Sequence, residues 1–139
     1  MSEIRVVIDT NVLVSALLSA HGAPATIIQQ VLAGRVTAVF DDRMLSEYRE
    51  VLARPRLGIP AEDARLILDA LEADGLAVSP QPLSIRLPDP DDLAFLEVAA
   101  WAHAPLVTGN GRHFVPLDGD HGVVVLNPAS FLREMGLRA

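Results

Sequence analysis

Ile4-Arg5-Val6-Val7-Ile8-Asp9-Thr10-Asn11-Val12-Leu13-Val14-Ser15 is the stretch that decides the fold. Residues 4–8 are apolar and β-branched apart from Arg5, and read as a strand. The polar triplet Asp9-Thr10-Asn11 ends it and opens a helix over 11–19, broken near Gly22. Working outward, the same alternation recurs. A helix is expected over 24–32, with Pro24 in its first turn and Gly34 just beyond its end. Further expectations are a strand over 36–40, helices over 42–54 and 61–73, a Pro-rich loop over 78–88 and a helix over 91–103. Strands over 105–108 and 123–126 and a helix over 129–135 complete the chain. Strands alternating with helices predict an α/β fold, a three-layer α/β/α sandwich around a mostly parallel sheet. Such sheets take ligands at the carboxyl ends of their strands. Asp9, Asp41 and Thr108-Gly109-Asn110 hold those positions.

The 139 residues fit one domain, 1–139, and a 50% hydrophobic content argues against disorder. Cysteine is absent, which excludes disulfides, thiolate metal sites and cysteine nucleophiles. All 11 basic residues are arginine. Without lysine there is no P-loop NTPase and no Schiff-base chemistry. The net charge of -7 argues against gripping nucleic acid by bulk charge. A nucleic-acid enzyme with this balance needs metal ions to neutralise phosphate. No leader-like start and no membrane-length apolar run occur, so a soluble, cytoplasmic protein is expected.

The acids differ in where their spacing puts them. Asp9 serves either as a helix cap or as a functional carboxylate, since Asn11 can also cap. Met44, Leu45, Tyr48, Val51 and Leu52 form one apolar helix face, with Glu47 at its edge and Glu50 pointing into solvent. A carboxylate on a buried border needs an arginine partner or a metal. In Asp89-Pro90-Asp91-Asp92 a cap, a first-turn proline and dipole-complementing acids account for all three aspartates. Asp92 nevertheless lies four residues before Leu96 on the inner face, and Asp91 is rotated about 100° away. Thr108-Gly109-Asn110 is either a turn or a hydroxyl and an amide at the same sheet edge as Asp9. Acids from separate segments aimed at one edge would repel unless a divalent cation joins them, and all-oxygen donors select Mg²⁺ or Mn²⁺ over zinc.

Other chemistries fit poorly. Haloacid-dehalogenase-type phosphatases and response-regulator receivers both need a lysine. Gly109-Asn110-Gly111 lacks the third glycine of a dinucleotide fingerprint, and no G-x-S-x-G occurs. His21, His103, His113 and His121 lack zinc-ligand spacing, and only His113 falls near the proposed site.

Four segments together resemble the PIN domain family. Val6 to Ser15 is similar to its opening motif, Leu45-Ser46-Glu47-Tyr48 to its second acidic motif, and Asp89 to Leu96 to its third. Leu106-Val107-Thr108-Gly109-Asn110 is similar to the fourth. The resemblance runs in order from about residue 4 to 133. It is nearest the branch holding toxin components of toxin–antitoxin pairs, the VapC-like ribonucleases. It implies a PIN-like sandwich and a metal-dependent endoribonuclease leaving 5′-phosphate and 3′-hydroxyl ends. Asp9, Glu47 and Asp92 would bind Mg²⁺ or Mn²⁺, with Asn110 completing the catalytic set. Asn11, Ser15 and Thr108 would orient ligands or water. Many members carry Asp where this chain has Asn110, which leaves the number of metals, one or two, open. Arg43, Arg112 and His113 are candidate contacts to RNA phosphates. An antitoxin protein and a second copy of the chain are the partners considered. Two alternatives are a non-catalytic PIN scaffold that binds protein or RNA and a structure-selective DNA nuclease.

Overall fold

The computed structural model describes residues 3–111 and 122–137. Along the chain these form β1 (Arg5–Ile8), α1 (Thr10–Leu18), α2 (Ala23–Leu32), β2 (Thr37–Phe40), α3 (Asp42–Leu52), α4 (Ala61–Asp74) and β3 (Leu76–Ala77). Then follow α5 (Leu93–Ala102), β4 (Leu106–Val107), β5 (Val125–Leu126) and α6 (Pro128–Glu134), with 3-10 turns at Pro55–Leu57 and Pro90–Asp92.

The strands make one sheet in the order β3-β2-β1-β4-β5, and every pairing is parallel. β1 lies in the middle. Its Val6, Val7 and Ile8 are at most 1% exposed, because helices cover the sheet and a central parallel strand has no solvent face. That explains why residues 4–8 read as an apolar run rather than an alternation. α1 packs on α2 and α2 on α6, while α3 packs on α4 and α5, and α5 lies against β1 and β2. The three-layer α/β/α expectation holds. The chain leaves β1 toward β2 on one side and returns to β4 on the other, so the strand order reverses at β1. The crevice beyond the carboxyl ends of β1 and β4 is therefore the natural binding position.

Some boundaries differ from the reading of the sequence, each for a local reason. The first helix starts at Thr10, not Asn11, because Asp9 is its cap: Asp9 Oδ1 accepts the Thr10 N–H at 2.8 Å. The helix expected from residue 91 begins as a 3-10 turn, where Asp89 accepts the Asp91 N–H at 3.0 Å ahead of Pro90. β3 was not anticipated, since two residues carry no periodicity. Beyond it, Leu83, Ile85 and Leu87 turn inward between exposed neighbours and pack on the core without joining the sheet. Among the described residues no single helix is long and apolar enough to cross a membrane.

Gly75 lets α4 hand over to β3 against β2. A Cβ built there would lie 2.5 Å from the Leu71 carbonyl oxygen, 2.6 Å from the Phe40 ring and 2.8 Å from the Ala38 carbonyl oxygen. Two of these are backbone atoms that cannot step aside. Gly75→Ala is expected to destabilise the fold by about 1–3 kcal/mol, the usual cost of overpacking. Urea unfolding checks this, and an unchanged midpoint would mean that the strand relaxes freely.

Candidate active site

The site grows from the end of β1. Asp9 is 6% exposed and divides its two oxygens. Oδ1 caps α1 through Thr10. Oδ2 accepts the Thr108 hydroxyl at 2.6 Å and the Asn11 amide at 3.3 Å. Asn11 in turn accepts the Gly109 N–H at 3.0 Å through Oδ1, and the Asn110 N–H donates to Thr108 Oγ1 at 3.0 Å. Asn11 and Thr108 thus fix Asp9 from both sides of the β1–β4 crevice. Asp9 is both the cap and the candidate functional acid, the two uses falling on different oxygens.

Glu47 reaches the same place from α3. The Thr10 hydroxyl donates to Glu47 Oε2, so Asp9 and Glu47 sit on either side of one threonine. The adjacent Tyr48 is buried and donates to the Ile8 carbonyl at 2.5 Å, stitching α3 to the last residue of β1. Burial pushes the Glu47 carboxyl above its ordinary range. The charges of Asp9, Asp92 and Asp91 push it further, against the Thr10 hydrogen bond. Burial also holds the Tyr48 hydroxyl well above its usual range, with help from Asp9, Glu47 and Asp41.

Asp92 is half-buried and Asp91 exposed, as helix phase requires. Both add to the field at Glu47, and it is Asp91 that lines the open cleft beside it. This cleft, of about 610 Å³, runs between α3 and the start of α5, with Arg43, Ser46, Glu47 and Pro90 in its walls. Glu50 faces out and pairs with Arg54 at 2.8 Å on the same helix. Glu47, by contrast, has no arginine partner among the described residues. Arg43 is half-exposed but engaged: it binds Asp41 at 2.7 Å and Glu97 at 2.7 Å. Ser15 and Asn110 line a separate recess of about 260 Å³ with Asn11, Pro24 and Pro128. Arg112, His113 and His121 lie outside the described residues. His103 caps the end of α5 with a left-handed backbone, φ 52°.

Among the described residues no three Asp, Glu or His side chains form a ready-made metal-binding group. A hydroxyl and an amide donate to Oδ2 of Asp9, the Thr10 N–H donates to Oδ1, and a hydroxyl occupies one oxygen of Glu47. The donor set is nonetheless carboxylates, hydroxyls and a carboxamide, all hard oxygen ligands. The like charges of Asp9, Asp92 and Asp91 around Glu47 are what a divalent cation would offset. The residues therefore suit such an ion in donor type and in charge.

Three contributors went unread in the sequence. Thr10 stood inside the first motif without a role of its own. Tyr48 was counted only as apolar, although the single tyrosine on an aliphatic face was a signal. Glu97, buried to 3% exposure, is the one charge inside the apolar run of α5.

The pattern of the PIN domain matches residues 5–112. The chain belongs to the PIN domain family. PIN domains are generally nucleases. An uncharacterised protein of Methanocaldococcus jannaschii is 30% identical over 143 residues, covering 95% of this chain and 92% of that one. Among solved structures, VapBC2 from Rickettsia felis bound to a DNA fragment from their promoter superposes with a TM-score of 0.58 at 15% identity. That match covers 89% of this chain and 98% of the other, and it supports the PIN fold.

The raised Glu47 carboxyl has a sign that can be tested. Its protonated form is favoured in the folded chain, so its contribution to stability is full below the ordinary carboxylate range and lost as pH rises through the raised value. With metal chelated, Glu47→Gln is expected to raise the melting temperature at neutral pH, with the gap closing as the solution is acidified. Melting curves across pH check this, and a variant that is less stable at neutral pH would reverse the sign.

Proposed function

We propose that this PIN domain is a Mg²⁺- or Mn²⁺-dependent endoribonuclease acting as the toxin of a toxin–antitoxin pair. The observation that carries the reading is the meeting of Asp9 and Glu47 on Thr10 at the carboxyl end of β1, within the field of Asp92 and Asp91. Asp9, Glu47 and Asp92 would hold the ion. A divalent cation bound there supplies Lewis acidity toward the phosphate and a water acidic enough to attack it at neutral pH.

The chain's own residues do the rest. Thr108 and Asn11 orient Asp9, leaving little rotational freedom to its carboxylate. Thr10 holds Glu47 Oε2 and leaves Oε1 available to a ligand. Asn110 is uncharged and cannot serve as a base, so it is assigned to hydrogen bonding, with Ser15 across the same recess. Retention of RNA falls to the site rather than to bulk attraction, because the chain carries -7 overall. The expected products bear 5′-phosphate and 3′-hydroxyl ends. The protein antitoxin is carried over from the VapBC2 neighbour.

A second reading, a non-catalytic scaffold, is favoured by Asn110 in place of an acid and by the absence of a preassembled three-acid group among the described residues. Calorimetry with Mn²⁺ separates the two, because the nuclease must bind the ion.

Asp9→Asn retains a side chain able to cap α1. It should therefore fold and lose Mn²⁺-dependent RNA cleavage by about 100-fold or more, since losing a ligand costs at least as much as losing an outer-shell support. Glu50→Gln should leave cleavage nearly unchanged, since Glu50, in the outer wall of the cleft, is exposed and among the described residues pairs with Arg54 on its own helix. Parallel assays on RNA and on flap and single-stranded DNA test the substrate class. Full activity of Asp9→Asn, or equal cutting of DNA, would overturn the reading.

A further inference from the structure

Glu97 lies in the fifth position of α5, 3% exposed, in a helix otherwise made of apolar residues. Both of its oxygens are bound. Oε1 accepts Arg43 Nη1 at 2.7 Å, and Oε2 accepts the Leu83 N–H at 2.6 Å. Arg43 turns the rest of its fork to Asp41 Oδ2, with Nε at 2.8 Å and Nη2 at 2.7 Å. Asp41 passes the chain on, its Oδ1 accepting the Met44 N–H at 3.0 Å as the cap of α3. One continuous run of hydrogen bonds thus joins the end of β2, the first turn of α3, the middle of α5 and the segment leading to Asp89.

Two positions on that run are close in sequence to the candidate ligands. Arg43 precedes Glu47 by one helical turn on α3, and Glu97 follows Asp92 by five residues. Arg43 and Glu47 line the same cleft. Glu47 on α3 feels the negative charge of Asp92 and Asp91 at the head of α5, and like charge opposes the approach of the two helices. The Arg43–Glu97 pair pulls them together. Stability alone is a weak account of this pair, since burial of the carboxylates costs desolvation while solvent at the half-exposed Arg43 screens the attraction. The planar fork of arginine, bound to two carboxylates from two elements, fixes a distance and an angle that apolar packing leaves loose.

We infer that Asp41, Arg43 and Glu97 form a clamp that sets the separation of α3 from α5, and with it the spacing of Glu47 and Asp92. Arg43 and Glu97 are then positioning residues, acting through the acids and not on RNA. The inference rests on the nuclease reading only for its consequence in metal binding.

The absence of cysteine allows spin labels at Ser46→Cys on α3 and Trp101→Cys on α5, both exposed positions. Pulsed electron resonance then reads the distance between the helices without metal. In this background Arg43→Gln and Glu97→Gln should lengthen or broaden the distance distribution. In the unlabelled protein the same variants should weaken Mn²⁺ binding roughly tenfold, as loss of an outer-shell support does. They should also lower kcat with KM within twofold, and Arg43→Lys should recover part of both losses. Distances and Mn²⁺ affinity equal to those of the parent would overturn the clamp. Should the single variants not fold, Arg43→Met with Glu97→Met removes both charges at similar volume. That pair is expected to fold and to show the same losses, and parent-like values would again overturn the inference. If the parent itself binds no Mn²⁺, the nuclease reading fails, and the helix distance by itself decides the clamp.

Discussion

Like-charge repulsion at one rim of a parallel sheet is the constraint around which this molecule is organised. Asp9, Glu47, Asp91 and Asp92 come from three separated segments, and their fields meet at Glu47. Nothing in elementary electrostatics favours that gathering in the bare protein. It persists because neutral donors tie the acids down. Thr10 holds Asp9 through its main-chain N–H and Glu47 through its hydroxyl, the Thr108 hydroxyl and the Asn11 amide hold Asp9, and Tyr48 anchors α3 to Ile8. The molecule spends folding free energy to keep a negative hollow in being, which is how a functional site differs from a merely stable one.

The sheet supplies the frame for this. Because all the pairings are parallel, the carboxyl ends of β1, β2 and β4 lie on one rim, bringing Asp9, Asp41 and Thr108 there together. The reversal of strand order at β1 opens the crevice into which Asp9 and Thr108 face each other. Asp41, from the neighbouring strand, turns away from that crevice to Arg43 and serves the scaffold. Three strand ends of similar appearance thus take different duties, set by which partners the helices bring to them.

Much of this was legible in the sequence where the signal was periodic or positional. The apolar run before Asp9, the helix face that put Glu47 at its edge and Glu50 outside, and the Asp89-Pro90 cap all correspond to what the structure contains. What escaped had no such signature. β3 is two residues long and depends on Gly75 closing against β2. The cap of α1 was ambiguous between Asp9 and Asn11, because both side chains can accept a backbone N–H, and only their placement decides. The Thr10–Glu47 contact spans 37 positions and Arg43–Glu97 spans 54, and no local pattern encodes pairings at that separation. Arg43, legible only as a charge near the rim, is largely committed to two buried carboxylates.

The outermost strands, β3 and β5, have two residues each. A border that short offers scarcely any unsatisfied main chain for a foreign segment to zip onto, which guards against edge-to-edge aggregation. It also narrows how another polypeptide can dock. Among the described residues strand addition finds little template on this sheet, which favours association through side chains on the helical faces, where shape and charge rather than backbone complementarity select the companion.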